Sequence, residues 1–188
     1  MGIAAEITEQ ELNAAARALV DLCRIRNFTI AAAESCTGGL LAATLTEIPG
    51  SSDVFDRCFV TYSNKAKQTM LEVPHEVLAA FGAVSRESAE AMVRGALTNA
   101  GTDLAVSITG IAGPGGALPG KPVGLVHLAG ASRAGRLVHA ERRFGDIGRV
   151  QVRRASVAAA LAILQALAEG SMPPAGGLTA PSPSTWAG

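Results

Sequence analysis

Three stretches of the chain place apolar side chains at the spacing of a helix that buries one face. The first follows Thr8-Glu-Gln-Glu11, which has the spacing of a capping box, so a helix should begin there. The other two are expected from Ser85 to near Gly101 and from about residue 149 to residue 168. Shorter helical segments are expected at residues 40–45, at residues 66–71 and after Pro74.

Five apolar, partly β-branched segments alternate with these helices and predict strands. They cover residues 28–33, 59–62, 103–109, 123–128 and 137–144. The last two are close enough along the chain to form an antiparallel hairpin, whereas strands separated by helices usually pair in parallel. This order predicts one α/β domain, a three-layer α/β/α sandwich with a mixed, mostly parallel sheet.

Composition separates a folded domain, residues 1–170, from a tail. Residues 171–188 are rich in Pro, Gly and Ser without periodicity, which is typical of a flexible segment. The whole chain has 48% hydrophobic and 17% charged residues, as a compact globular protein does. Its 16 basic and 16 acidic residues balance, so charge gives no reason to expect nucleic acid or a membrane surface as a partner.

The cysteine pattern favours a reducing compartment, and we expect a cytoplasmic protein. Cys23, Cys36 and Cys58 form no CxxC pair and are odd in number, which argues against a disulfide framework and a structural zinc site. We therefore expect no metal. The acidic N-terminus does not resemble a secretion signal. The apolar segment at residues 155–168 is expected to be too short and too alanine-rich to span a bilayer.

The stretch Ala31-Ala-Ala-Glu-Ser-Cys-Thr-Gly-Gly39 joins a predicted strand to a predicted helix. Unpaired backbone N–H groups and the positive end of the helix dipole are expected to converge near Ser35, which makes this serine a candidate nucleophile. Helix capping by Ser35 or Thr37 explains the same residues equally well. Cys36 is more simply explained as a small buried thiol than as a reactive group.

A second segment, Tyr62-Ser-Asn-Lys-Ala-Lys67, offers a phenol and two amines just after a predicted strand. A lysine with a lowered pKa can act as a general base toward a serine, and a tyrosine hydroxyl can relay the proton or orient the amine. Taken alone, the segment is better explained by a tyrosine at the edge of the core and two solvated lysines.

A third segment, residues 110–120, is a loop rich in glycine and proline. Its N–H groups could bind a phosphate or an amide, although a flexible surface loop has the same composition. Arg149 and Arg153 lie one helical turn apart in the predicted last helix. They could form an exposed, solvated helix face or a clamp that binds a phosphate. Ligands of open α/β sheets bind beyond the carboxyl ends of the strands, so one cleft would unite these segments.

The chain resembles the CinA C-terminal-domain family, the nicotinamide-mononucleotide amidases. The resemblance covers roughly residues 8–168 and rests on Glu34-Ser-Cys-Thr-Gly-Gly39, Tyr62-Ser-Asn-x-x-Lys67, Thr109-Gly-Ile-Ala-Gly-Pro114 with Gly116, Lys121-Pro-Val-Gly124 and Arg149-x-x-x-Arg153. It implies an α/β/α fold and hydrolysis of the nicotinamide mononucleotide carboxamide to nicotinate mononucleotide and ammonia, without a cofactor. One departure is visible, since two residues separate Asp146 from Arg149, which usually adjoin in the family.

The resemblance also implies residue roles. It makes Ser35 the nucleophile and makes Tyr62 and Lys67 its activating partners, because Lys67 holds the family's lysine position while Lys65 falls in a variable pair. Backbone N–H groups at residues 36–39 would form an oxyanion hole, and Arg149 with the loop 109–116 would hold the ribose phosphate. The implied substrate-binding residues are Cys36, Thr37, Gly38, Gly39, Thr109, Gly110, Gly113, Gly116 and Arg149.

Two matters stay open at the level of sequence. A non-catalytic nucleotide-binding or partner-binding module of the same fold is the alternative to an enzyme. The expected partner of the enzyme is a small-molecule nucleotide substrate, and the residues do not decide between a monomer and a homo-oligomer.

Overall fold

The computed structural model describes residues 6–171, which fold into six α-helices and five β-strands. In chain order these are α1 (Glu9–Arg26), β1 (Ile30–Glu34), α2 (Leu40–Thr46), β2 (Phe55–Val60), α3 (Asn64–Leu71), α4 (His75–Phe81), α5 (Arg86–Ala100), β3 (Leu104–Gly110), β4 (Leu125–Ser132), β5 (Leu137–Arg143) and α6 (Arg149–Glu169). Of the predicted tail, residues 171–188, only Ser171 is described, so the prediction of flexibility lies outside the described residues.

The strands form one mixed sheet in the order β2-β1-β3-β4-β5. Strand β1 pairs in parallel with both β2 and β3, whereas β3 with β4 and β4 with β5 pair antiparallel. The predicted mixed sheet is confirmed, but its description as mostly parallel is wrong, because two pairings are of each kind. The reason is that no helix lies between β3 and β4. The glycine-rich loop instead reverses the chain, so that β4 pairs antiparallel with β3.

Two hydrophobic cores lie on the two faces of this sheet, which confirms the three-layer sandwich. One core joins α1, α2 and α6 to side chains such as Ile30 and Val106, and the other joins α5 to Ala31, Ala105 and Ala129. The small side chains on the second face allow α5 to approach closely, so that the Ser107 hydroxyl donates to the Ala89 carbonyl at 2.6 Å. Successive residues of a strand therefore contribute to opposite cores.

Helix α6 has the bounds that the sequence predicted, from about residue 149 to residue 168. Its 21 residues make it the one helix among residues 6–171 that is long and apolar enough, by length and composition, to cross a membrane. The expectation that this segment is too short is therefore wrong. However, 61% of its most apolar window is buried inside the domain, where it packs against α1 and the sheet. Its apolar composition is that of a core helix.

The chain topology brings the marked segments to one edge of the sheet. The carboxyl ends of the parallel strands β1, β2 and β3 lead into residues 35–39, residues 61–63 and the loop 111–124. Strand β5 also ends at this edge, because it is antiparallel to β4, and it leads to the N-terminus of α6. The expected convergence of the three segments at one edge is confirmed.

Candidate active site

Ser35 and Lys67 form a buried hydrogen-bonded pair at this edge. Lys67 Nζ lies 3.0 Å from Ser35 Oγ and 2.7 Å from the carbonyl oxygen of Thr61. Only 8% of Ser35 and 1% of Lys67 is exposed to solvent. Burial lowers the pKa of Lys67 to about 8, because desolvation penalises the ammonium form, and the nearby Cys36 opposes this effect. The lysine can thus lose its proton close to neutral pH.

Helix α3 decides which of the two lysines meets the serine. Ser63 caps the helix by accepting a hydrogen bond from the Ala66 N–H at 3.1 Å. Lys67 then lies one turn into the helix on the face that also buries Leu71, whereas Lys65 lies on the exposed face. Sequence spacing alone could not show which lysine contacts Ser35. The structure shows that it is Lys67, because Lys67 lies on the buried face of α3.

The turn that carries Ser35 has a left-handed backbone at its end. Gly38 and Gly39 adopt φ values of +58° and +90°, a region that favours glycine. Gly39 is the N-cap of α2, the Ser35 hydroxyl contacts Lys67 instead of the helix, and the Thr37 hydroxyl has no partner, so the alternative that Ser35 or Thr37 caps this helix is wrong. The Gly38 N–H instead donates to the Ser35 carbonyl at 3.1 Å.

The expected free N–H groups at the start of α2 are also occupied. The Glu34 carboxylate accepts hydrogen bonds from the N–H groups of Gly39, Leu41 and Ala42 at 2.9, 3.3 and 2.9 Å. Within residues 6–171 no oxygen accepts a hydrogen bond from the N–H groups of Cys36 and Thr37, and the Cys36 N–H interacts only with its own thiol. The expectation of an open helix terminus is therefore wrong, and the available donors of the turn lie immediately after Ser35.

Two threonines beside the pair carry buried hydroxyl groups without a hydrogen-bond partner. These are Thr37 in the nucleophile turn and Thr61 after β2, both fully buried. A buried hydroxyl that lacks a partner is costly, so the two groups lower the stability of this edge of the sheet, and neither is open to a ligand in this structure. The Cys36 thiol is different, since burial raises its pKa to about 11 and keeps it protonated.

Tyr62 has another partner than the serine–lysine pair. Its hydroxyl accepts a hydrogen bond from Arg149 Nη2 at 3.2 Å, and 64% of the residue is exposed. The hydrogen bonds of Ser35 and Lys67 in the described chain do not include it. Tyr62 thus lies beside the site with its ring open to solvent, and its role as a proton relay stays a prediction.

The N-terminal turns of α6 connect the segments of the site. Arg149 Nη1 donates to the Gly113 carbonyl at 3.0 Å, which links the glycine-rich loop to Tyr62. Arg153 donates to the Thr37 carbonyl from Nε and Nη2, at 3.2 and 2.6 Å. The two arginines therefore hold the two loops that the sequence identified, and Arg149 remains exposed at the surface.

The predicted substrate-binding residues at the end of β3 and in the following loop have structural roles in the protein itself. The Thr109 hydroxyl donates to the Ala83 carbonyl at 2.7 Å. A side chain at Gly110 would approach Val126 Cγ2 within 2.7 Å. Gly113 and Gly116 have φ values of +78° and +90° and shape the loop. No group of three or more His, Cys, Asp and Glu side chains within residues 6–171 is arranged to hold a metal ion.

Comparison with known proteins agrees with this architecture. The family profile described as CinA C-terminal domain matches residues 12–168. CinA-like proteins from Synechococcus sp. and Geobacter sulfurreducens are 50% and 51% identical over 143 and 129 residues, which are 76% and 69% of this chain but 34% and 31% of theirs. The chain thus spans about a third of the length of these relatives.

Solved structures share the fold over nearly their whole length. The competence/damage inducible protein CihA from Agrobacterium tumefaciens is 49% identical with a TM-score of 0.83, and the match covers 89% of this chain and 99% of that one. A competence-damaged protein (CinA) superfamily member from Klebsiella pneumoniae is 35% identical with a TM-score of 0.80, covering 84% and 98%. The chain belongs to the CinA C-terminal-domain family.

Sequence reasoning missed two parts of the site. It did not assign a role to Glu34, although a charged residue that ends a fully apolar strand must find partners when it is buried. It also missed the Thr61 carbonyl, which holds the Lys67 amine. The first had a sequence signal, whereas the second depends on backbone geometry alone.

Proposed function

We propose that this chain is an amidase that hydrolyses the carboxamide of nicotinamide mononucleotide, with Ser35 as nucleophile and Lys67 as general base. The observation that carries the proposal is the 3.0 Å contact between Lys67 Nζ and Ser35 Oγ in a buried position that lowers the pKa of the lysine to about 8. A serine becomes nucleophilic when an adjacent base takes its proton. The identity of the amide comes from the family resemblance.

The proposed reaction proceeds in two steps. Neutral Lys67 accepts the Ser35 proton while Oγ attacks the carboxamide carbon, and the tetrahedral intermediate collapses to a serine ester as ammonia leaves with a proton from the lysine. Water then attacks the ester, which releases the carboxylate product and restores the serine hydroxyl. The free N–H groups of Cys36 and Thr37 are suited to an oxyanion, and one such donor is typically worth about 2.7–4 kcal/mol.

The phosphate of the nucleotide is assigned to the N-terminus of α6. Arg149 is exposed there and uses Nη1 and Nη2 for one protein contact each, so other guanidinium N–H groups remain for a ligand. Gly148, the N-cap of this helix, has no side chain to occupy the first N–H groups. An arginine beside an uncapped helix N-terminus suits an anion.

Ammonia release from nicotinamide mononucleotide, its riboside and free nicotinamide tests the proposal. The mononucleotide should be the best substrate. Ser35→Ala should reduce turnover by about 10³-fold or more. Lys67→Met should reduce it by about 10²–10⁴-fold, the usual contribution of a general base. Lys65→Met is the matched control on the same helix and should remain active.

Three results would contradict the proposal. They are near-normal activity of folded Ser35→Ala, a larger loss in Lys65→Met than in Lys67→Met, and a wild-type protein that binds the mononucleotide without releasing ammonia. The last would favour a non-catalytic binding module of the same fold.

A further inference from the structure

The Glu34 side chain is a buried carboxylate that the proposed reaction does not use. It lies at the carboxyl end of β1, directly before Ser35, and none of it is exposed. Glu34 Oε2 accepts from the Gly39 and Leu41 N–H groups, and Oε1 accepts from the Ala42 N–H group. The carboxylate therefore joins the end of β1 to the first turn of α2, across the turn that holds the nucleophile.

A thiol provides a fourth donor to the same group. Cys58 Sγ lies 3.4 Å from Glu34 Oε1 and approaches it from the neighbouring strand β2. Burial, followed by the charge of Glu34, raises the pKa of this thiol far above its usual range, so the thiol keeps its proton and acts as a donor. Glu34 is thus fixed from two sides, by α2 and by β2.

These contacts decide which N–H groups of the turn are left for a substrate. Gly38 donates to the Ser35 carbonyl and Leu40 to the Thr37 carbonyl, while Gly39 is taken by Glu34. The free donors in this part of the described chain are those of Cys36 and Thr37. Without the carboxylate, the N–H groups of α2 would compete for any anion that forms beside Ser35.

The backbone of Glu34 fixes the lysine side of the pair. The Glu34 carbonyl accepts a hydrogen bond from the Thr61 N–H at 2.8 Å, and the Thr61 carbonyl accepts one from Lys67 Nζ at 2.7 Å. The Glu34 side chain therefore fixes the turn that carries Ser35, while the Glu34 main chain fixes Thr61, whose carbonyl binds the Lys67 amine.

We propose that Glu34 is a positioning residue of the active site. Its carboxylate fixes the turn so that Ser35 Oγ stays in reach of Lys67 and the Cys36 and Thr37 N–H groups point to one oxyanion position. This inference rests on the proposed function of Ser35. Glu34 contacts neither Ser35 Oγ nor Lys67 Nζ by a hydrogen bond, so its effect is transmitted through the turn.

Glu34→Gln tests this role, because glutamine has nearly the same shape but replaces one acceptor oxygen with an NH₂ group. The variant should lower kcat/KM by about 10²-fold, the cost that a misplacement of about 1 Å can have. The aldehyde analogue of the substrate, which adds to a serine hydroxyl and places an oxyanion in the same position, should bind more weakly by a similar factor. Binding of the product, nicotinate mononucleotide, should not change. Partial unfolding of the variant would not change the dissociation constant of the aldehyde or of the product, so a weaker aldehyde constant alone indicates a misplaced turn.

Asp103→Asn is the matched control. Asp103 also accepts a hydrogen bond from a backbone N–H group, that of Thr29 at 2.9 Å, but it lies at the opposite end of β1 from Ser35. Asp103→Asn should leave kcat/KM and aldehyde binding unchanged even where it lowers the melting temperature. Cys58→Ala serves as a second variant that removes one donor to Glu34 without substituting any residue of the turn. Because Glu34 is then held less firmly, kcat/KM and aldehyde affinity should weaken together by a smaller factor.

The outcomes separate this inference from the proposed function. Suppose that the wild type is active and Ser35→Ala is inactive. A Glu34→Gln variant with wild-type kcat/KM and aldehyde affinity would then overturn the role of Glu34 alone. If Glu34→Gln yields no folded protein, unchanged constants in Cys58→Ala would overturn it. A wild type that neither releases ammonia nor binds the aldehyde would overturn both.

Discussion

Lys67 sets the pH at which the proposed chemistry can run. Its pKa is lowered to about 8 by burial, and the general base must be the neutral amine. As pH falls below this value the amine becomes protonated, so kcat/KM should fall by about tenfold per pH unit. Above it kcat/KM should level off. Measurement of kcat/KM for nicotinamide mononucleotide between pH 6.5 and about 9.5 checks this expectation, and a profile that does not rise with pH would remove Lys67 from the role of base.

At the scale of residues, sequence alone could identify the chemical groups but not their contacts. Ser35 and Lys67 stand out because their motifs resemble those of the family, yet composition and spacing could not distinguish Lys67 from Lys65. The 3.0 Å contact exists because two separate segments end at the same edge of the sheet. The partner of Tyr62 was not predictable either, since Arg149 reaches it from 87 residues away in the chain.

The first turns of α6 act as a unit at the scale of elements. Arg149 is exposed and contacts the glycine-rich loop and Tyr62, whereas both interacting nitrogens of Arg153 point to the Thr37 carbonyl. We therefore expect Arg149→Ala to weaken the use of the mononucleotide more than any residual activity on the riboside, which has no phosphate. A charge-assisted contact to phosphate is typically worth about 1.5–3 kcal/mol.

The kinetic constants of Arg149→Ala show whether the arginine contributes to binding or to positioning of the substrate. A contact that is equal in the ground state and the transition state should appear mainly as a raised KM for the mononucleotide. Arg153→Ala is the comparison variant, and it should impair both substrates alike because it loosens the turn of Ser35. Equal proportional losses on the two substrates in Arg149→Ala would show that this arginine does not bind phosphate.

Most elements were predictable, and the two clear misses have local causes. The capping box at Thr8 and the glycine after α5 bound those helices as expected. Strand β2 begins at Phe55, four residues before the predicted start, because this edge strand carries exposed polar residues at its beginning and lacks an apolar pattern. Strand β4 continues to Ser132 through small residues, and Gly130 is needed there because Ile163 of α6 packs against it.

At the scale of the whole molecule, we expect a histidine pair to make the free energy of unfolding depend on pH. His127 Nδ1 and His139 Nε2 lie 3.1 Å apart on β4 and β5, where Glu141, Lys121 and the α5 residues Arg86, Glu87 and Glu90 surround them. The pKa of each imidazole is lowered, mainly by burial, and next by His139 in the case of His127 and by Arg86 in the case of His139.

Because the pKa of each imidazole is lower in the folded protein than in the unfolded chain, acid should destabilise the folded protein. The imidazoles of the unfolded chain take up protons at a higher pH than those of the folded protein, so the stability is full above the unfolded pKa of about 6.5 and is lost as pH falls below it. His139→Gln should therefore lose less melting temperature than wild type between pH 7.5 and pH 5.5, with about 2–4 °C expected per kcal/mol at this size. His75→Gln, on the exposed start of α4, is the control and should behave like wild type. An identical drop in all three proteins would exclude the pair as the cause.

Nucleophilic catalysis by Ser35 requires a covalent intermediate, which rapid quenching of the reaction with nicotinamide mononucleotide would capture. Acid stops the reaction within the first turnover, and peptide mass spectrometry then locates any ester. We expect an acyl group on the peptide that contains Ser35, formed together with the first equivalent of ammonia, and no such group in Ser35→Ala. Ammonia release at the full rate without an adduct, retained by Ser35→Ala, would contradict nucleophilic catalysis by this serine.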